Sequence, residues 1–390
     1  MTGHNCWPLI YLIAGEPSGD QLGAHLMAAL KSETGGAIAF RGIGGARMEA
    51  EGLESLLPIA ELSVMGLAEV LPRLPILLQH IRDTASNVLG TRPDVLVTID
   101  APDFGLRVAK RLAGRGIPLV HYVAPSVWAW KAGRAKKMAR YLDHVMTLLP
   151  FEPTYFEAHG LAASFVGHPV LESGAGDGDG KGFRSRHGIS AEDKLLCLLP
   201  GSRIGEVHRL LPVFREVAGK LKSDHSDLRI VMPTLDAIGD YLRAETENWQ
   251  EPPIIVTGDV EKFDAFSATN AALAASGSVG LELAAAGVPH ITAYRFNWLT
   301  NKLAHIFVNT EHVHLVNVLL KEGVVPEFIL ENCRAKPISV ALAPLLYQVE
   351  AGARQTCQFG FAMERLRPET LLPAASAAKV VLELIRNQKA

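Results

Sequence analysis

The sequence predicts an α/β protein made of two Rossmann-like, doubly wound lobes that face one another across a cleft. Three observations carry that expectation. Short apolar runs of about five residues alternate with helix-period stretches, the pattern of parallel strands covered by helices on both faces. Between Gly167 and Gly182 the composition turns abruptly to glycine and aspartate, dividing the 390 residues into halves, and that length suits two domains. The polar residues of interest stand just after the apolar runs, where open parallel sheets bind ligands.

Taken in order, Leu9–Ala14 is a strand, Gly15-Glu16-Pro17-Ser18-Gly19-Asp20 a loop, and Leu22, Leu26, Met27 and Leu30 mark a helix. Residues 62–78 are unusually apolar and interrupted by Pro72 and Pro75. Asp94–Ile99, Ile117–Tyr122 and His144–Leu149 are further strands. The first lobe then spans 1–170, and 171–182, with its run Gly174 to Gly180, is a flexible linker. The second lobe, 183–350, repeats the alternation with strands at Lys194–Leu199, Leu228–Met232, Ile254–Val256, Ala271–Ala275 and His290–Ala293. The Ala- and Leu-rich end, 369–390, is helical and free to close either lobe or cross back to the first.

The formal net charge of −3 gives no overall attraction for nucleic acid. Cys6, Cys197, Cys333 and Cys357 are scattered without C-x-x-C spacing, which predicts neither a metal site nor a disulfide framework and fits a reducing cytosol. No basic stretch leads an apolar core at the start and no window reaches the roughly 20 apolar residues of a membrane span, so a soluble or surface-associated protein is expected.

Several strand ends carry groups with chemistry. Leu199-Pro200-Gly201-Ser202-Arg203 leads into a helix; its backbone N–H groups, the Ser202 hydroxyl and the Arg203 fork make a diphosphate site. Ser276-Gly277-Ser278 offers a second N–H cluster, and Glu282 a carboxylate for two ribose hydroxyls. On the first lobe Glu16, Ser18, Asp20, Asp100, Asp103 and Ser126 gather at the same rim. Asp100 is the favoured proton acceptor, with Asp103 and Glu16 as alternatives and helix capping as the other use of either aspartate. Trp128 and Trp130 precede Lys131, Arg134 and Lys137, aromatics beside a basic run that suit an anionic membrane surface or a nucleic acid, with a solvated helix face as the plain alternative. Met65, Leu67, Val70 and Leu71 belong to an apolar stretch suited to acyl chains.

Five segments in order resemble lipid-A-disaccharide synthase: Ala14 to Asp20, Ile99-Asp100-Ala101-Pro102-Asp103-Phe104, Tyr122 to Trp130, Gly167-His168-Pro169 and Leu199 to Arg203. The resemblance covers nearly the whole chain. It implies the GT-B architecture and an inverting glycosyltransferase. Such an enzyme moves 2,3-diacylglucosamine from UDP to the 6-hydroxyl of 2,3-diacylglucosamine 1-phosphate, giving the β-1,6-linked disaccharide and UDP, with no metal or organic cofactor. It further implies work on the cytoplasmic face of the inner membrane of Gram-negative bacteria, and together with the C-terminal segment it suggests a homodimer. Asn317 matches a functional asparagine of the family, although His312, His314 and Val316 stand where the family usually has Tyr, Ser and Pro. Another UDP-sugar transferase or epimerase of the same build is the competing enzyme. A two-lobed binding protein without chemistry fits the gathered carboxylates less well.

Overall fold

The computed structural model describes residues 7–62, 67–128, 133–295 and 311–389, with 67–73 and 389 described by their backbone alone. The chain divides into two compact units, residues 1–169 with 366–390, and residues 170–365.

The first unit holds β1 (Leu9–Ala14), β2 (Ala39–Ile43), β3 (Glu54–Ser55), β4 (Val95–Ile99), β5 (Leu119–Tyr122), β6 (His144–Thr147) and β7 (Ala162–Phe165), in the spatial order β3-β2-β1-β4-β5-β6-β7. Every adjacent pair is parallel; Ile10 of β1 faces Phe40 on one side and Val95 on the other. Successive side chains of a strand leave on opposite faces, so β1 serves two cores. Ile10, Leu12 and Ala14 pack with Leu22 and Leu26 of the Pro17–Thr34 helix and with Ala377, Ala378 and Val381 of the Pro373–Lys389 helix. Tyr11 and Ile13 pack with Ile81, Ala85 and Val88 of the Leu67–Thr91 helix and with Val108 of the Pro102–Leu112 helix.

The second unit repeats the plan with β8 (Lys194–Leu199), β9 (Leu228–Thr234), β10 (Ile254–Thr257), β11 (Ala271–Ala275), β12 (His290–Tyr294) and β13 (Glu327–Ile329), ordered β10-β9-β8-β11-β12-β13 and again parallel. Leu196 and Leu198 meet the Ile204–Asp224 and Ala335–Tyr347 helices, while Leu195, Cys197 and Leu199 face the Gly180–Arg186 and Asp259–Ala268 helices. Both units are therefore three-layered and doubly wound.

Two expectations need correction. The helix from Leu67 to Thr91 runs through Pro72 and Pro75. An interior proline costs about 3 kcal/mol, and the burial of Ile81, Ala85 and Val88 farther along the same helix supplies the opposing gain. The glycine run at 174–180 is fitted structure rather than a flexible linker: a β-carbon on Gly178 would lie 2.1 Å from the Phe263 carbonyl oxygen, and the Asp179 N–H donates to Asp264 Oδ1 at 2.7 Å. Glycine here permits close approach to a helix.

Candidate active site

In the first sheet the strand order reverses between β1 and β4, the position at which doubly wound sheets bind their ligands. The turns after these two strands touch. A β-carbon on Gly15 would sit 3.1 Å from that of Ala101, and the Ser18 hydroxyl donates to Asp100 Oδ2 at 2.7 Å. Asp100 and Ala101 both have left-handed backbones, with φ of 50° and 30°, a conformation that costs L residues of order 1 kcal/mol and concentrates at functional sites. The Asp100 carboxylate is thus aimed by its backbone and fixed by a residue from the other turn.

Neither aspartate caps the following helix through its side chain. That helix starts at Pro102 with Ala101 at the capping position, and Asp103 is exposed in its first turn. Glu16 occupies the capping position of the Pro17–Thr34 helix without capping it through its carboxylate. Asp20 is placed otherwise than expected. It is buried, its Oδ1 accepting from the N–H of Gly45 (2.7 Å) and Met48 (3.1 Å) and its Oδ2 from Arg47 (3.1 Å), so it ties down the Ala46–Ala50 helix rather than lining the rim.

In the second sheet the reversal falls between β8 and β11, and the two turns chosen from sequence follow these strands. Gly201 has φ 125°, and a β-carbon there would press against Glu206 at 2.7 Å. Ser202 and Arg203 are exposed, with Arg203 at the extended residue just before the Ile204–Asp224 helix. Glu206 Oε1 accepts from the Tyr294 hydroxyl at 3.1 Å, at the end of β12. Ser276, Gly277 and Ser278 lie at or near the surface, just before the short Val279–Ala285 helix. Glu282 Oε2 pairs with Lys262 Nζ at 3.1 Å, so ribose hydroxyls would share or displace that lysine.

The chain matches the family model for lipid-A-disaccharide synthetase over residues 10–380. The chain belongs to the lipid-A-disaccharide synthetase family. It is similar to the lipid-A-disaccharide synthases of Rhodospirillum centenum (48% identity, 97% of this chain and 95% of the relative) and Paramagnetospirillum magneticum (47%, 98% of each). In structure it is similar to a UDP-GlcNAc 2-epimerase from Neisseria meningitidis (TM-score 0.63, 11% identity, 97% of this chain and 100% of the other) and a glycotransferase of kitacinnamycin (0.64, 14%, 97% and 99%). At such identities these likenesses speak for the two-lobe α/β fold alone, and the family makes the chain a glycosyltransferase.

Within this lipid-A-disaccharide synthetase family member, Asn317 is enclosed. Its Nδ2 donates to the Val325 carbonyl (2.7 Å) and Glu327 Oε1 (2.8 Å), and its Oδ1 accepts from Val325 N–H (2.8 Å). It braces the approach to β13. The neighbouring His314 is buried too: its Nδ1 accepts from the Val316 N–H, which leaves Nε2–H to donate to His290 Nε2 at 3.0 Å. Burial holds both rings neutral, His290 down to about 4 and His314 well below the usual histidine value.

Sequence reasoning missed two buried groups on the first unit. His121 of β5 accepts or donates at Nδ1 to Thr98 Oγ1 (2.8 Å), and burial pushes it down to about 4 against the opposing pull of Asp100. Glu152 follows β6 and binds Trp128; burial, outweighing hydrogen bonds from Leu149, Trp128 and Leu148, raises it to about 7. No motif marks either residue; only their place on β5 and after β6, on the β4 side of the sheet, does. Ser126 is exposed after β5, and Lys137 is exposed while Arg134 is half-buried on the Gly133–Met138 helix. Met65, Trp130 and Lys131 lie outside the described residues, as do the side chains of Leu67, Val70 and Leu71. Among the described residues no helix is long and apolar enough to cross a membrane.

Proposed function

We propose that this chain transfers 2,3-diacylglucosamine from its UDP donor to the 6-hydroxyl of 2,3-diacylglucosamine 1-phosphate, with inversion, releasing UDP. Family membership sets the reaction, and the observation that carries the mechanism is the Ser18–Asp100 hydrogen bond at the reversal point of the first sheet. Asp100 takes the proton from the acceptor hydroxyl as that oxygen bonds to the anomeric carbon. The bond from that carbon to the UDP oxygen breaks, and its electron pair leaves with UDP. Ser18 holds the carboxylate in one orientation while its second oxygen receives the proton. Arg203 and the N–H groups of the 201–203 and 276–278 turns stabilise the charge growing on the departing diphosphate, a role for fixed donors. Glu282 engages the ribose in exchange with Lys262.

The first unit, residues 1–169 with 366–390, serves the acceptor, and the second, 170–365, the donor. The basic segment containing Lys131, Arg134 and Lys137 rests on the anionic cytoplasmic face of the inner membrane, where the acylated substrates reside, and the active species is a homodimer.

The test is UDP release from UDP-2,3-diacylglucosamine with and without the acylated glucosamine 1-phosphate. Release should require the acceptor. Asp100→Ala should lower the rate at least about 10²-fold while UDP still binds, and Arg203→Ala should weaken UDP binding as well as turnover. UDP freed equally without acceptor, or from unacylated UDP-sugars, would transfer the chain to the epimerase-like reading.

A further inference from the structure

Glu152 is 3% exposed, and its two oxygens tie two turns together. It lies in Pro150-Phe151-Glu152-Pro153, shortly after β6. Its Oε2 accepts from the backbone N–H of Leu148 (3.2 Å) and Leu149 (3.0 Å), closing its own turn. Its Oε1 accepts from the indole N–H of Trp128 at 3.0 Å, and the Phe151 ring meets that indole edge-on at 5.4 Å. A carboxylate accepts at both oxygens; a neutral amide has one acceptor oxygen and cannot serve both sides. Burying a carboxylate is costly unless its partners are all in place. Here they are, and one of them comes from another strand's turn.

The segment leading to Trp128 is held at other points as well. Val123 launches it with φ 75°, outside ordinary space for a β-branched residue, while its N–H donates to the Met146 carbonyl at 3.1 Å. Ala124 and Val127 are buried in the core, and Ser126 between them faces outward. The segment lies beside the candidate base, since the Asp100 N–H donates to the Tyr122 carbonyl at 2.9 Å. Trp128 is half-buried, and its indole N–H is used inside the protein.

We infer that Glu152 is a positioning residue for the reaction: through the indole N–H of Trp128 it fixes the Ala124–Trp128 segment that orients the acylated acceptor sugar beside Asp100. This rests on the transferase reading above.

The experiment compares wild type, Glu152→Gln, Trp128→Phe and the double variant, by initial rates against acceptor at saturating donor, by calorimetric UDP binding, and by the ¹⁵N-indole NMR spectrum. Each single change should raise the acceptor KM about tenfold, with kcat changed less than about threefold. UDP binding should be unaltered, and Glu152→Gln should shift the indole resonance that Trp128→Phe deletes. Because both act through one hydrogen bond, the double variant should be no worse than the worse single. An acceptor KM within about twofold of wild type, or effects that multiply in the double variant, overturns the inference. Trp128→Phe keeps an aromatic ring, so it decides the matter if Glu152→Gln fails to fold. A wild-type enzyme that forms no disaccharide sinks the transferase reading and this role with it, and the indole spectrum still reports separately on the tether.

Discussion

At the residue scale the first unit brings two side chains 82 positions apart into one hydrogen-bonded pair, Ser18 and Asp100. The hydroxyl removes the freedom of the carboxylate to turn. Ser18→Ala should therefore lower kcat about tenfold, in line with one hydrogen bond worth roughly 1–1.5 kcal/mol, and leave UDP binding as it was. A rate unchanged in steady-state assay would reduce Ser18 to a bystander. The places of Asp100 and Arg203 just after β4 and β8 were legible in the sequence because each closely follows an apolar run. The partnership of Ser18 with Asp100 was not, since it depends on β1 and β4 lying side by side. The inward placement of Asp20 and Asn317 was not legible for a related reason: a polar residue close to a rim motif in sequence can turn inward, and backbone donors such as those of Gly45 and Val325 decide which way it turns.

At the scale of elements, apolar runs with β-branched residues gave the central strands nearly to the residue, because a strand buried on both faces has no polar positions to blur it. β2, β3, β7 and β13 escaped notice: β2 is interrupted by Arg41 and Gly42, and the others are edge strands of two to four residues, too brief to show a period. Glycine misled most at 174–180, where it signals a backbone pressed on the Asp259–Ala268 helix. Asp20 carries the prediction proper to this scale. It accepts three N–H groups at the start of the Ala46–Ala50 helix, and asparagine has a single acceptor oxygen. Asp20→Asn should cost about 1–2 kcal/mol in urea unfolding; a loss below about 0.5 kcal/mol would mean that water replaces the missing contacts.

At the scale of the whole molecule, acid is the informative perturbation. Burial lowers His121, His168 and His290 to about 4, and His314 falls well below 6.5 through burial and the neighbouring His290. A depressed base lets the unfolded chain take up a proton that the folded chain refuses, so this stability is present above about pH 6.5 and lost as pH falls toward 4. Glu152, raised to about 7, acts oppositely, adding stability as pH falls from about 7 to 4.5. The first unit sets His121, His168 and the half-buried His144, also lowered by burial, against Glu152. Among the described residues the second has His290 and the strongly lowered His314 with no such counterweight, so it should be the more acid-sensitive. Calorimetry at pH 7.5 and 5.5, with hydrogen exchange to assign the transitions, should show the β12 region giving way first; equal losses in both units would contradict this balance.

The Pro373–Lys389 helix bears on how such a molecule is made. Its Ala377, Ala378 and Val381 share a core with Leu22 and Leu26 of the Pro17–Thr34 helix, so the earliest strands off the ribosome wait, with an apolar face open, until the whole of the second unit has been synthesised. That second unit is continuous in sequence, so its core awaits no later segment. The order of birth and the order of completion are reversed, and the nascent first unit is the stage at which a chaperone has most to protect.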